Sequence, residues 1–98
     1  MRLEFHPEAE WELIEAASYY DQQVPGLGER FEAEIRHAME LLLEQPEAGH
    51  PVDRSLRKFI LTRFPFNVYY SFSADALRIE AVAHQRRRPG YWKSRVAR

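Results

Sequence analysis

Phe66-Asn67-Val68-Tyr69-Tyr70-Ser71-Phe72-Ser73, a break at Ala74-Asp75-Ala76, and Leu77-Arg78-Ile79-Glu80-Ala81-Val82-Ala83-His84 are the stretches that decide the fold. In the first run Phe66, Val68, Tyr70 and Phe72 fall on one side of an extended chain, with Asn67, Tyr69, Ser71 and Ser73 on the other. That period of two marks a half-buried strand. The second run repeats it, with Leu77, Ile79, Ala81 and Ala83 opposite Arg78, Glu80, Val82 and His84. So short a connection joins the two as neighbouring antiparallel strands. Upstream, Leu56–Leu61 is a third strand candidate, ended by Phe64-Pro65, and the three together form an antiparallel meander. Glu47–Arg54 follows Pro46 and carries Gly49 and Pro51, so it reads as a loop.

Two helices precede the meander. Pro7 suits the first helical position, His6 sits at the cap, and Glu8, Glu10 and Glu12 lie in the first turns, where the helix dipole favours anions. Ala9, Leu13, Ala16, Ala17 and Tyr20 form one apolar stripe, which Trp11 and Ile14 are expected to widen. Pro25-Gly26 ends this helix, after Asp21-Gln22-Gln23. The second helix starts near Leu27 or Gly28, carries Leu27, Phe31, Ile35, Ala38, Met39 and Leu42 on its apolar side, and stops before Pro46. The short connection makes the pair an antiparallel hairpin. Ahead of both, Arg2–His6 alternates as a short strand. The expected fold is α+β: an N-terminal strand, a two-helix hairpin, then a three-strand antiparallel meander whose one face the helices cover, in a single domain over residues 1–98.

The phase of the strands carries the functional expectation. If Phe66, Val68, Tyr70 and Phe72 pack under the helices together with Ala81 and Ala83, then Asn67, Tyr69, Ser71, Glu80, Val82 and His84 face away. That predicts a bare reverse face bearing Tyr69 and ending at His84, beside Arg86-Arg87-Arg88. An ordinary solvated face is the plain alternative. Charge divides along the chain. Residues 1–53 carry 3 Arg and 13 Asp/Glu, a balance of −10, and residues 54–98 carry 11 Arg/Lys and 2 Asp/Glu, a balance of +9. The second half suits an anionic partner, unless the acidic helices simply pair with the basic sheet.

Other chemistries find no support. With no cysteine, disulfides and thiolate sites are excluded. His6, His37 and His50 are scattered and indicate no metal site. No cofactor is implied, because phosphate-binding, dinucleotide, nucleophile-elbow and zinc-protease motifs are all missing. Met1–His6 lacks a continuous apolar core, and no window approaches the ~20 apolar residues of a membrane span. A cytoplasmic protein that meets no membrane is expected. His84 alone is either a structural histidine or, beside three guanidinium groups, a neutral base or hydrogen-bond donor. Tyr91 and Trp92 are anchors for the tail on one reading and stacking or catalytic groups on the other.

Six pieces stand in order along the chain: Pro7-Glu8-Ala9, Ala16-Ala17-Ser18-Tyr19-Tyr20, Pro25-Gly26-Leu27-Gly28-Glu29-Arg30-Phe31, Leu56-Arg57-Lys58-Phe59, Arg63-Phe64-Pro65-Phe66 with Tyr69-Tyr70, and Ala81-Val82-Ala83-His84 with Arg86-Arg87-Arg88-Pro89-Gly90-Tyr91-Trp92. Together they resemble the RelE/ParE toxins of type II toxin–antitoxin systems. The resemblance implies a toxin neutralised by a co-expressed antitoxin, of ribbon-helix-helix type, through which alone it would meet operator DNA. It also implies one of two targets. ParE-like members inhibit DNA gyrase and cleave nothing; RelE-like members cleave mRNA on the ribosome. For cleavage, His84 would be base or acid, Arg63 and Arg86 the cations on the phosphorane, and Tyr91 a proton relay. For partner binding the resemblance and the charge point to Arg57, Tyr69, Arg86, Arg87, Arg88 and Trp92. The middle strands hold only Lys58 where RelE-like toxins hold several lysines, and Pro89-Gly90 intrudes before Tyr91. The long hairpin and the Pro-Gly-Tyr-Trp ending look ParE-like. That favours gyrase inhibition and the plasmid-stabilisation role of such systems, with the ribonuclease, or a degenerate member that only binds antitoxin, as alternatives.

Overall fold

In the computed structural model, which describes residues 1–96, the chain runs β1 (Arg2–Phe5), α1 (Pro7–Gln23), α2 (Leu27–Glu44), β2 (His50–Pro51), β3 (Arg57–Ile60), β4 (Phe66–Phe72) and β5 (Ala76–His84). The five strands form one sheet in the order β1-β5-β4-β3-β2. The expected meander is β3-β4-β5, all antiparallel, while β1 adds to the far side of β5 in parallel. One correction concerns 47–54. Instead of a plain loop it holds a 3-10 turn at Pro46–Ala48 and the two-residue β2, which pairs His50 with Lys58 and Pro51 with Arg57. Tyr70 organises this segment from below: its hydroxyl donates to the Pro46 carbonyl at 2.7 Å and accepts the Gly49 N–H at 2.9 Å.

The helix boundaries follow their local chemistry. His6 caps α1 by accepting the Glu8 N–H on Nδ1 at 3.0 Å, and Pro7 opens the helix. Gly26, at φ +89°, turns the chain into α2 in a conformation that a side chain would strain. Gly28 has a different reason. A Cβ there would lie 2.3 Å from the Ala17 carbonyl oxygen, so only glycine lets the two helices approach this closely. The Gly28 N–H donates to Asp21 Oδ1 at 2.8 Å.

The helices cover one sheet face with a core of Ala9, Ala16, Ala17, Phe31, Ile35, Ala38, Met39 and Leu42 against Phe66, Val68, Tyr70, Leu77, Ile79 and Val82. Phe31 meets Phe66 and Phe64 edge-on at centroid separations of 5.0 and 5.2 Å. Such aromatic pairs contribute about 0.5–1.5 kcal/mol each beyond the area they bury. Two expectations about this core are corrected. Trp11 and Ile14 do not widen the α1 stripe; they are 59% and 51% exposed. At 3.6 residues per turn Trp11 points roughly opposite to the Ala9–Tyr20 stripe and Ile14 well off it. Phe72 keeps its face, opposite Leu77, but at the sheet's end it stays 37% exposed.

The larger correction is to the phase of β5. Tyr69 pairs with Ala81 and Tyr70 with Ile79, so Glu80 is the extra residue of a β-bulge. One inserted residue exchanges the faces of everything beyond it. Leu77 and Ile79 face the helices as expected, but from there on Val82 does so, and Ala81 and Ala83 face away. His84 pairs with Phe66, and its ring lies 5.2 Å from the Phe66 ring, on the helix side of the sheet.

Candidate functional site

The reverse face is not bare. After the arginines, Pro89-Gly90 bends the chain, with Gly90 at φ +84°, and residues 91–96 return across the sheet, turning at Lys93–Arg95. Trp92 stacks on Tyr69 with centroids 3.9 Å apart and planes 24° apart. Around them Leu56, Ala81 and Ala83 complete a second small core, with Tyr91 and Val96 packed at its margin. The bulge made this possible, because the alanines it turns to this face leave room for an indole. Tyr69 and Trp92, expected to meet a partner, are therefore buried against each other.

One carboxylate ties this C-terminal strap down. Glu12, on α1, accepts from Arg95 twice, Nη1 at 3.0 Å and Nη2 at 2.8 Å, and from the Tyr91 hydroxyl at 2.7 Å. It also accepts the backbone N–H of Val82 at 2.9 Å, in the part of β5 beyond its pairing with β1. Arg95 Nη1 further donates to the Glu80 carbonyl at 3.1 Å, and Nη2 lies 3.3 Å from Glu8. The Arg95 side chain is only 7% exposed, so these partners are what make its burial tolerable. The Glu12 hydrogen bond and charge hold its guanidinium even more firmly protonated than usual, against the opposing effect of burial.

Tyr91 is locked in the same way. Burial first, then the hydrogen bond to Glu12 and its negative charge, raise the phenol well above the ordinary tyrosine value of 10.0, while Arg95 and Arg87 pull the other way. The folded state keeps Tyr91 neutral where the unfolded chain would ionise it. Its contribution to stability is whole below pH ~10 and is lost as pH rises from there. The urea midpoint is expected to fall above pH ~10, with Tyr91→Phe removing part of that fall. Burial also raises Tyr70 and Tyr20, which account for the remainder. Superimposable midpoint-against-pH curves for wild type and Tyr91→Phe would contradict this account.

The basic residues thus divide. Arg57 is spent inside the fold, its Nη1 donating to the carbonyls of Glu47 at 3.1 Å and Gly49 at 2.8 Å. Arg86, Arg87 and Arg88 are exposed. Arg87 lies over the Tyr91 ring at 3.9 Å, with Arg95 over the same ring at 5.0 Å. Among the described residues Arg86 and Arg88 enter no ion pair. The corner's backbone is fixed by His84, whose Nδ1 accepts the Arg86 N–H at 3.0 Å and whose carbonyl accepts the Arg87 N–H at 2.9 Å. Arg63 lies in the β3–β4 turn, whose Pro65 carbonyl accepts the Gln85 N–H at 2.8 Å beside the end of β5, and Glu34 accepts the N–H groups of Thr62 and Arg63 at 3.0 and 3.1 Å. Of the four residues that cleavage would need, only His84 and Arg86 are linked, through a main-chain N–H.

A second feature lies on the other side of the molecule. Between α2 and the β3–β4 turn runs a mainly apolar groove, lined by Leu27, Arg30, His37, Phe59, Ile60 and Arg63 among others. β2 covers only Arg57 and Lys58 of β3, which leaves Phe59 and Ile60 without an outer strand. Glu12, Glu80 and Arg95 were not foreseen in the sequence as site residues. Glu80 alone left a trace there, as a charge in the middle of an apolar run.

Among the described residues no group of three His, Cys, Asp or Glu is placed to hold a metal ion, and no helix is long and apolar enough to cross a membrane. The family described as the ParE toxin of the type II toxin–antitoxin system parDE matches residues 3–89. Among solved structures, a chain of the chromosomal ParDE toxin–antitoxin system of P. aeruginosa superposes with a TM-score of 0.74 at 17% identity, covering 86% of this chain and 95% of that one, a likeness of fold. No curated protein matches.

Proposed function

The chain belongs to the ParE toxin family of type II toxin–antitoxin systems, and on that premise we propose that it is a growth inhibitor, neutralised by a cognate antitoxin, which acts by binding DNA gyrase and cleaves nothing. The observation that carries the choice of target is the state of Tyr91. Its hydroxyl is held by Glu12 at 2.7 Å, and burial, that hydrogen bond and the Glu12 charge all raise the phenol above the ordinary value and so oppose proton release near neutrality. With Tyr91 so engaged, the cleavage set lacks a free proton relay, and the hydrogen bond that joins His84 to Arg86 uses the Arg86 main-chain N–H and not its guanidinium. A basic corner at Arg86–Arg88 remains for binding, where exposed cations guide association and fix orientation.

The antitoxin is assigned to the groove between α2 and β3. An extended or helical antitoxin segment places apolar side chains against Leu27, Phe59 and Ile60, and its acidic residues meet Arg30 and Arg63. The open edge of β3 at Phe59 and Ile60 offers main-chain hydrogen bonds to an added strand.

The test uses the purified chain in two assays side by side. Supercoiling by gyrase is expected to be blocked, and relieved when the co-expressed antitoxin is added. Coupled translation is expected to continue with its mRNA uncut. Arrested translation with cut mRNA and unhindered supercoiling would replace this reading by the ribonuclease. Harmless expression with antitoxin binding retained would reduce the chain to a degenerate member.

A further inference from the structure

Glu12 connects to the exposed basic corner through a short chain of contacts. Its carboxylate is immobilised by both Arg95 nitrogens and the Val82 N–H. It takes the Tyr91 hydroxyl at 2.7 Å, and Tyr91 presents its ring to the Arg87 guanidinium at 3.9 Å. On the other flank the corner's backbone is pinned by His84, and Gly90 at φ +84° brings the chain back so that Tyr91 lies beside Arg87. Arg86 and Arg88 have no such ring contact among the described residues. Three adjacent arginines that look equivalent in sequence are thus unequal in space: one is placed and two are loose.

We propose that Glu12 is a positioning residue for target recognition, holding Tyr91 so that Arg87, rather than Arg86 or Arg88, presents its guanidinium to acceptor oxygens of the target. A long side chain loses rotamer freedom when it is fixed in a complex, and one already laid on an aromatic face has lost part of it beforehand. The ring can do this only if it is itself rigid. Stacking on an exposed cation would not make it so; its edge-on contact with Trp92 at 5.6 Å holds one side of the ring, and the hydrogen bond to a carboxylate fixed at three other points holds the hydroxyl end. The proposal rests on the reading of the basic corner as the surface that meets gyrase.

The experiment measures the concentration of purified full chain that halves gyrase supercoiling, for wild type, Arg87→Ala, Glu12→Gln, Tyr91→Phe and the double variant Glu12→Gln/Arg87→Ala. Acrylamide quenching of Trp92, read in a Trp11→Phe background because the chain has two tryptophans, reports whether the strap stays closed. Arg87→Ala is expected to raise the half-inhibitory concentration about tenfold, and Glu12→Gln and Tyr91→Phe about three- to fivefold each with Trp92 still shielded. The double variant is expected to be no weaker than Arg87→Ala, since Glu12 acts through that side chain. If the wild type inhibits and Arg87→Ala loses nothing, the corner is not the target surface and the proposal falls with it. If Arg87→Ala is weakened and Glu12→Gln multiplies its own full factor on top, the positioning role is overturned while the target surface stands. If inhibition is lost only in variants whose Trp92 becomes quenchable, Glu12 is a structural anchor and no more.

Discussion

Trp92→Ala is expected to cost about 3–5 kcal/mol of folding stability and to lower the urea midpoint by more than about 1 M. The indole is buried, stacked on Tyr69, and seated over Ala81 and Ala83. Its loss would open the second core and leave Tyr69 and Leu56 facing water. Small domains hold only about 5–15 kcal/mol in all, so a single residue in the tail would carry a large share. Trp92→Phe makes the sharper comparison. The Trp92 Nε1 is buried without a hydrogen-bond partner, and a donor in that state costs about 1–3 kcal/mol. Phenylalanine keeps an aromatic face on Tyr69 and removes that donor, so it should retain most of the stability that alanine loses. A Trp92→Ala midpoint no lower than that of the exposed Trp11→Ala would show that the strap contributes nothing to the fold.

What was legible in the sequence follows from the range of the interactions that encode it. Pro7, Pro25-Gly26 and Pro46 act on the backbone within a turn of themselves, and the helices begin and end where those residues stand. The alternation of Phe66, Val68 and Tyr70 is likewise local, and β4 buries those three as expected. The bulge is not local. Reading β5 as an unbroken alternation put Val82 and His84 on the wrong face, although Glu80 in the middle of an apolar run marked the interruption. The site depended on still longer links. Glu12 and Arg95 are 83 residues apart, and no periodicity reports such a pairing. The divided charge of the chain hinted at it: Glu8 and Glu12 answer Arg95, and Glu4 approaches Arg78 at 4.0 Å. Pairing between the halves accounts for those cations and leaves Arg86 and Arg88 for something else.

Glu12→Ala is the second large effect, again about 3–5 kcal/mol, because it breaks a buried ion pair from one side. The Arg95 guanidinium would keep only the exposed Glu8 and the Glu80 carbonyl, and the Tyr91 hydroxyl and the Val82 N–H would lose their acceptor. Most of that cost is the desolvated groups left behind, not the strength of the pair itself. The distinction has a measurable consequence. Glu12→Leu combined with Arg95→Met removes both charges and fills much of their volume, so it should destabilise by clearly less than the sum of Glu12→Leu and Arg95→Met made singly, with a coupling of about 0.5–3 kcal/mol. Urea unfolding of the three variants decides it, and strict additivity would mean that the two side chains do not share the network described. The same double variant bears on function. Without charges at 12 and 95 the strap can stay folded, but the Tyr91 hydroxyl has no carboxylate to hold it, and the ring beneath Arg87 keeps only its packing against Trp92 to orient it. A stable double variant that inhibits as weakly as Tyr91→Phe is therefore the expected outcome, and it separates the carboxylate's hold on Tyr91 from its contribution to the fold.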